Sequence, residues 1–136
     1  MLIARKILMG LAWIYVLLVI LQFFFAGLMI LGFDTADEFD DYRSMHEGLG
    51  YSALHLTPIL FIIAAAVGRV PRNLLILTVV FAVIAFLQPI WVSEFRGEFL
   101  GALHVLGAAI ILAMAHEIAQ MATRLVRGGS PTRQTA

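Results

Sequence analysis

Apolar residues fall along this chain in four long blocks separated by short polar breaks. The blocks run from about Ile7 to Phe33, Met45 to Val67, Asn73 to Val92 and Phe99 to Leu125. No period-two alternation appears inside them, so strands are excluded. Each block approaches or exceeds the ~20 residues that cross ~30 Å of hydrocarbon at ~1.5 Å per residue. Lipid satisfies no backbone hydrogen bonds, so such blocks must be helices. The breaks Gly68–Arg72 and Ser93–Glu98 are tight, which makes consecutive helices antiparallel neighbours. The expectation is an all-α, integral membrane four-helix bundle, up-down-up-down, over residues 1–127. Residues 128–136 read as a flexible polar tail, and the acidic stretch Asp34–Ser44 as the one roomy loop.

Composition agrees with the pattern. Of 136 residues, 62% are hydrophobic and 13% charged, against roughly half and a quarter in soluble domains. Nine basic and nine acidic residues cancel, so no basic surface exists for nucleic acid. The absence of cysteine excludes disulfides, thiolate metal sites, a cysteine nucleophile and covalently attached haem. No Gly-rich phosphate loop or covalent-catalysis site emerges, so neither a nucleotide cofactor nor a stand-alone hydrolase or kinase is expected.

Charge also sets direction. Arg5, Lys6, Arg69, Arg72, Arg124, Arg127 and Arg133 fall on one side with only Glu117. Arg43 and Arg96 fall on the other with Asp34, Asp37, Glu38, Asp40, Asp41, Glu47, Glu94 and Glu98. The positive-inside rule puts both termini in the cytoplasm. The first apolar run exceeds a signal-peptide core of ~7–15 residues, and no A-x-A-like site closes it. It reads as a retained span.

Polar residues inside spans are costly, and therefore informative. All four histidines lie in the second and fourth spans. With helix starts near Ser44 and Glu98, His46 lies ~3 Å and His104 ~9 Å below the outer end. His55 lies ~16 Å and His116 ~27 Å down, too far apart to share a small ligand. His46 shares a stripe with Gly50 and Ala53, and His104 one with Gly97, Gly101 and Ala108. Small residues let backbones approach closely and leave room for a flat macrocycle. His46 and His104 are therefore the expected axial ligands of a b-type haem. Arg43 or Arg96 would pair its propionates. Gln22 and Gln88 would lie beside it or face a quinone.

Plainer readings stand beside these. His46, placed at a helix start, is open to simple hydration. His104 can be clamped by Gln88, and His55 bridged to Gln22 at similar depth. His116, Glu117 and Gln120 suit snorkelling at the cytoplasmic interface. Met45 next to His46 offers a soft pair for copper, with His104 as third donor. Pro58 and Pro89 should kink their helices and free carbonyls. Trp13, Tyr15, Tyr51 and Trp91 suit interfacial or packing roles. Asp34–Asp41 lacks the glycine and closing Glu of an EF-hand, so it reads as a solvated loop.

Four short motifs occur in order: Gln22-Phe23-Phe24-Phe25-Ala26-Gly27, His46-Glu47-Gly48-Leu49-Gly50, Leu87-Gln88-Pro89 and Ala102-Leu103-His104. This order resembles a family of small four-helix bacterial membrane proteins with no assigned activity, over roughly Leu11 to Ala122. The resemblance singles out Gln22, His46, Gln88 and His104, and implies the bacterial inner membrane. A looser similarity is to four-helix b-type cytochromes such as cytochrome b561 and respiratory membrane anchors. Those carry two aligned histidine pairs, whereas here the spacings are nine and twelve. The expected function is a haem-b electron carrier or respiratory-type subunit in exchange with quinone. The alternative is a cofactor-free accessory subunit or small-molecule-binding membrane protein. Expected partners are the bilayer, other membrane subunits or a second copy.

Overall fold

The structure is a computed structural model that describes residues 1–32, 34–95 and 97–128. It consists of helices α1 (Leu2–Leu31), α2 (Ala36–Leu49), α3 (His55–Val67), α4 (Arg72–Glu94) and α5 (Leu103–Val126). A π-helical turn, Gly50–Leu54, fuses α2 to α3, and a 3-10 turn, Phe99–Ala102, leads into α5. The result is four helices long and apolar enough to cross a membrane: Leu2–Leu31, Ala36–Val67, Arg72–Glu94 and Phe99–Val126.

The second of these starts nine residues before the expected Met45. Residues 36–44, read from sequence as loop, are helical. A capping box causes this. Thr35 Oγ1 accepts from Glu38 N at 3.2 Å, and Glu38 Oε2 accepts from Thr35 N at 3.3 Å and Asp34 N at 2.8 Å. Both ends of the pattern satisfy amides that a first turn leaves orphaned. His46 is therefore in the last turn of α2 and not at a helix start. The expected tail at 128–136 lies, from 129 onward, outside the described residues, as do Arg96 and Arg133.

Helix α1 touches α2, α3 and α5, while α4 touches α3 and α5. Among the described residues the backbones of α1 and α4 do not approach each other, nor do those of α3 and α5. The α2–α3 unit therefore stands diagonally across the bundle from α5. At one end, Arg5 donates from Nε to Gly68 O (2.9 Å) and from Nη2 to Arg69 O (3.2 Å). A cation at the end of α3 meets free carbonyls and the negative end of the helix dipole. Arg69 sits at φ 46°, the left-handed conformation that stops the helix.

Packing differs between the two halves. Every fully buried residue of the helices lies in one half: Ala4 to Val19 of α1, Pro58 to Ala65 of α3, Leu74 to Ala85 of α4, and Ile111 to Ala122 of α5. Tyr15, Phe61 and Phe81 form its centre, with Phe61 stacked on Phe81 at 5.2 Å and Tyr15 edge-on to both. The other half has no fully buried residue in α2, the π turn or the 3-10 turn. That open half holds His46 and His104.

Candidate functional site

The fused α2–α3 unit and α5 bring His46 and His104 opposite each other across the bundle, with their rings edge-on. Their ring centroids are 6.5 Å apart, with an interplanar angle of 68°. Both residues are partly buried. Each is supported by the helix that precedes it in the chain.

His46 is tied to α1 by a reciprocal pair of bonds. Its Nδ1 donates to Gln22 O at 3.3 Å, and Gln22 Nε2 donates to His46 O at 2.8 Å. A carbonyl only accepts, so Nδ1 carries the proton and Nε2 keeps its lone pair. The same logic fixes the Gln22 amide. Its nitrogen is spent on a carbonyl, which leaves Oε1 buried without a partner. Gly50 makes room, because a Cβ there would lie 3.2 Å from Gln22 Nε2.

His104 has a similar setting on α5. Its ring lies beside the Gln88 backbone carbonyl. The side chain of Gln88 lies directly against Gly107, where a Cβ would collide with Nε2. Here the polar atoms are unfinished: Gln88 Oε1 and His104 Nδ1 are both buried and unpartnered. The side-chain clamp expected between Gln88 and His104 is therefore not formed. Buried polar groups without partners are few in native structures and call for an explanation. Three of the four in the described residues, Gln22 Oε1, Gln88 Oε1 and His104 Nδ1, lie in this cluster.

The remaining sequence candidates fall elsewhere. His55 packs edge-on against Phe86 at 4.5 Å, with Nδ1 unpartnered. The expected bridge to Gln22 is absent, because Gln22 is engaged by His46. His116 stacks edge-on to Trp13 at 5.7 Å and accepts from Gln120 Nε2 at 3.2 Å. It faces a shallow groove of about 400 Å³ between α1 and α5, lined also by Val16, Ile20, Ala109, Leu112 and Ala113. Arg43 is held on α2 by Asp40 (3.8 Å) and Glu47 (3.4 Å). It borders a second groove, of about 440 Å³, with Ser44, Gly48 and Tyr51. Neither groove is lined by His46 or His104. Gly101 has a turn role, because a Cβ there would strike Phe95 O. Among the described residues no three His, Asp or Glu side chains converge on a metal position. Met45 is half-exposed.

Two contributors escaped the sequence reading. Gly107 was not singled out, although it lies three residues beyond His104 on the same helix face. Tyr15 takes the packing role, one of the two expected for it, at 1% exposed, but the sequence reading did not foresee that its hydroxyl donates to Leu54 O at 3.1 Å. Residue 58 would normally donate to that carbonyl, but Pro58 has no N–H. The signal was present in the i−4 relation between Leu54 and Pro58.

The chain matches no family profile, no curated protein and no solved structure.

Proposed function

We propose that this protein is an integral membrane haem-b-binding electron carrier, in which His46 and His104 would hold the haem iron. One observation carries the reading: two imidazoles from diagonal helices with centroids 6.5 Å apart, ringed by buried polar atoms that lack partners. Two imidazole nitrogens each about 2.0 Å from one metal put their ring centroids about 6 Å apart. The spacing thus fits a shared iron. The half of the bundle around the pair has no fully buried residue in α2, the π turn or the 3-10 turn, so a flat macrocycle would be admitted there by movement of side chains and not by a formed cavity. The bond from His46 Nδ1 to Gln22 O leaves Nε2 free to ligate, the usual arrangement for a metal-bound histidine.

Haem bound there would supply a one-electron couple. The chain's own residues would orient the rings and exclude water from below. A membrane quinone is the proposed exchange partner. The unpartnered oxygens of Gln22 and Gln88 are acceptors, which suits the hydroxyl groups of a quinol. Arg43, occupied by Asp40 and Glu47, is not assigned to the propionates. The up-down arrangement, the cytoplasmic termini and the bacterial inner membrane belong to this proposal. They are supported by the basic residues gathered near Gly68 and by apolar side chains exposed along the helices, such as Ile14, Leu17, Ile63, Val83 and Val105.

The test is the visible spectrum of detergent-purified protein, oxidised and then reduced with dithionite. A sharp α band on reduction, lost in both His46→Ala and His104→Ala, is the expected result. Haem retained in both variants overturns the ligand assignment.

A second reading has its own support. Gln22 and His46 satisfy each other without any cofactor, as expected of a cofactor-free accessory subunit or small-molecule binder. That reading predicts a colourless protein from haem-replete cells. It also predicts that His104→Ala costs only about 1–2 kcal/mol of stability.

A further inference from the structure

The two hairpins repeat one local device, although their sequences show no repeat. In the first, Gln22 on α1 meets His46 through its backbone carbonyl and lies 3.2 Å from the Cβ position of Gly50. In the second, Gln88 on α4 presents its backbone carbonyl beside His104 and its amide against Gly107. Both glutamine Oε1 atoms are buried and unpartnered. The order Gln, His, Gly is the same in both hairpins, and the two histidines face each other.

We infer that the hairpins are quasi-equivalent half-sites, in which Gln22 and Gln88 are positioning residues for the histidine of the following helix and Gly50 and Gly107 are the clearances that admit their amides. In the first half-site the Gln22 carbonyl takes the Nδ1–H of His46, which leaves the Nε2 lone pair for the ligand; in the second the matching bond from His104 Nδ1 is unmade and would form to the Gln88 carbonyl when the ligand binds. The halves differ in completeness. Gln22 and His46 have both their bonds. Gln88 Oε1 and His104 Nδ1 have none. The α4–α5 half is the adjustable one, and it closes when the ligand arrives. The identity of that ligand as haem rests on the proposed function, whereas the half-site geometry does not.

The glycines give a clean test. At both positions the atom in the way is the far end of a flexible glutamine side chain. Gly107→Ala therefore displaces the Gln88 amide without breaking a helix. Gly10→Ala, whose Cβ would meet nothing within 4 Å, is the control. Two measurements are made on the full chain in detergent. The first is nitrogen-15 NMR of labelled histidine in haem-free protein, assigned with His46→Gln and His104→Gln. Both rings should be neutral with the proton on Nδ1. Gly107→Ala and Gln88→Leu should move the His104 signals and spare those of His46. The second is titration with haem. Gly107→Ala, Gln88→Leu and Gln22→Leu should each weaken binding about 10-fold or more, as loss of ligand-orienting groups does, with Gly10→Ala like wild type. Circular dichroism confirms that each variant is folded. An Nε2–H form on either ring, or His104 signals unmoved in Gly107→Ala, overturns the inference. A wild-type protein that takes no haem yet shows Nδ1–H on both rings overturns the haem reading and upholds the half-sites.

Discussion

Tyr15 shows how a single residue repairs the cost of another. Pro58 deprives Leu54 O of its i+4 donor, and an unserved carbonyl in an apolar setting costs free energy. The Tyr15 hydroxyl fills that vacancy at 3.1 Å while its ring packs on Phe61 and Phe81. Tyr15→Phe keeps the ring and loses the bond. The expected loss is about 1 kcal/mol in thermal unfolding in detergent. Pro58→Ala restores a backbone donor to Leu54 O. In that background Tyr15→Phe should cost measurably less, and a double-mutant cycle with no coupling would count against the pairing. The candidate histidines are legible at this scale in part. Residue type and depth pick out His46 and His104, because polar groups in apolar runs are rare. Their hydrogen-bond partners are not legible. Whether Gln22 reaches His46 or His55 depends on how α1 and α2 lie against each other, which a one-chain pattern does not encode.

At the scale of elements, apolar length fixes the four helices, and local chemistry fixes where they start and stop. The acidic run after Gly32 looks like a loop by composition, yet the T-x-x-E spacing of Thr35 and Glu38 begins a helix there. A sequence reading that weights the cap over the charges finds it. Thr35→Ala should cost about 1 kcal/mol locally. Hydrogen exchange at Asp37 to Asp41 should speed up while amides of α3 stay unchanged. Uniform acceleration along both helices would show instead that α2 and α3 unfold as one unit. The π turn is harder to foresee. It inserts one residue's worth of rotation between His46 and His55, so a regular 100° step does not relate the faces of the two histidines. The histidine-to-glycine spacings also differ, four residues for His46 and Gly50 against three for His104 and Gly107. Together with the unequal connections between hairpins, this conceals the repeated device from sequence comparison.

For the whole molecule the decisive feature is its asymmetry: one half close-packed, the other held by polar ties. Phe61→Ala, in the packed half, should cost about 3–5 kcal/mol, whereas Leu49→Ala, partly buried beside the site, should cost about 1 kcal/mol. Equal losses would mean that the open half is as tightly packed as the core. The charges follow the same axis. Arg5, Arg69 and Arg72 gather at the packed end, where Arg5 contacts the carbonyls of Gly68 and Arg69. The acids Asp34 to Asp41 belong to the other end, with α2. Under the proposed orientation, argued from the positive-inside rule, the packed end would lie in the cytoplasm and the histidine site toward the outer face. Because the chain has no cysteine, single introduced cysteines report orientation without background. A cysteine at Asp37 should react in intact cells with a membrane-impermeant maleimide, and one at Asn73 only after lysis. The reverse pattern would turn the site toward the cytoplasm and require its redox partner to be sought there. With the expected pattern, the half without fully buried residues in α2 and the two turns faces outward, and a ligand of the proposed site would enter from the outer leaflet. The packed half then acts as the floor that keeps water and ions from following it through.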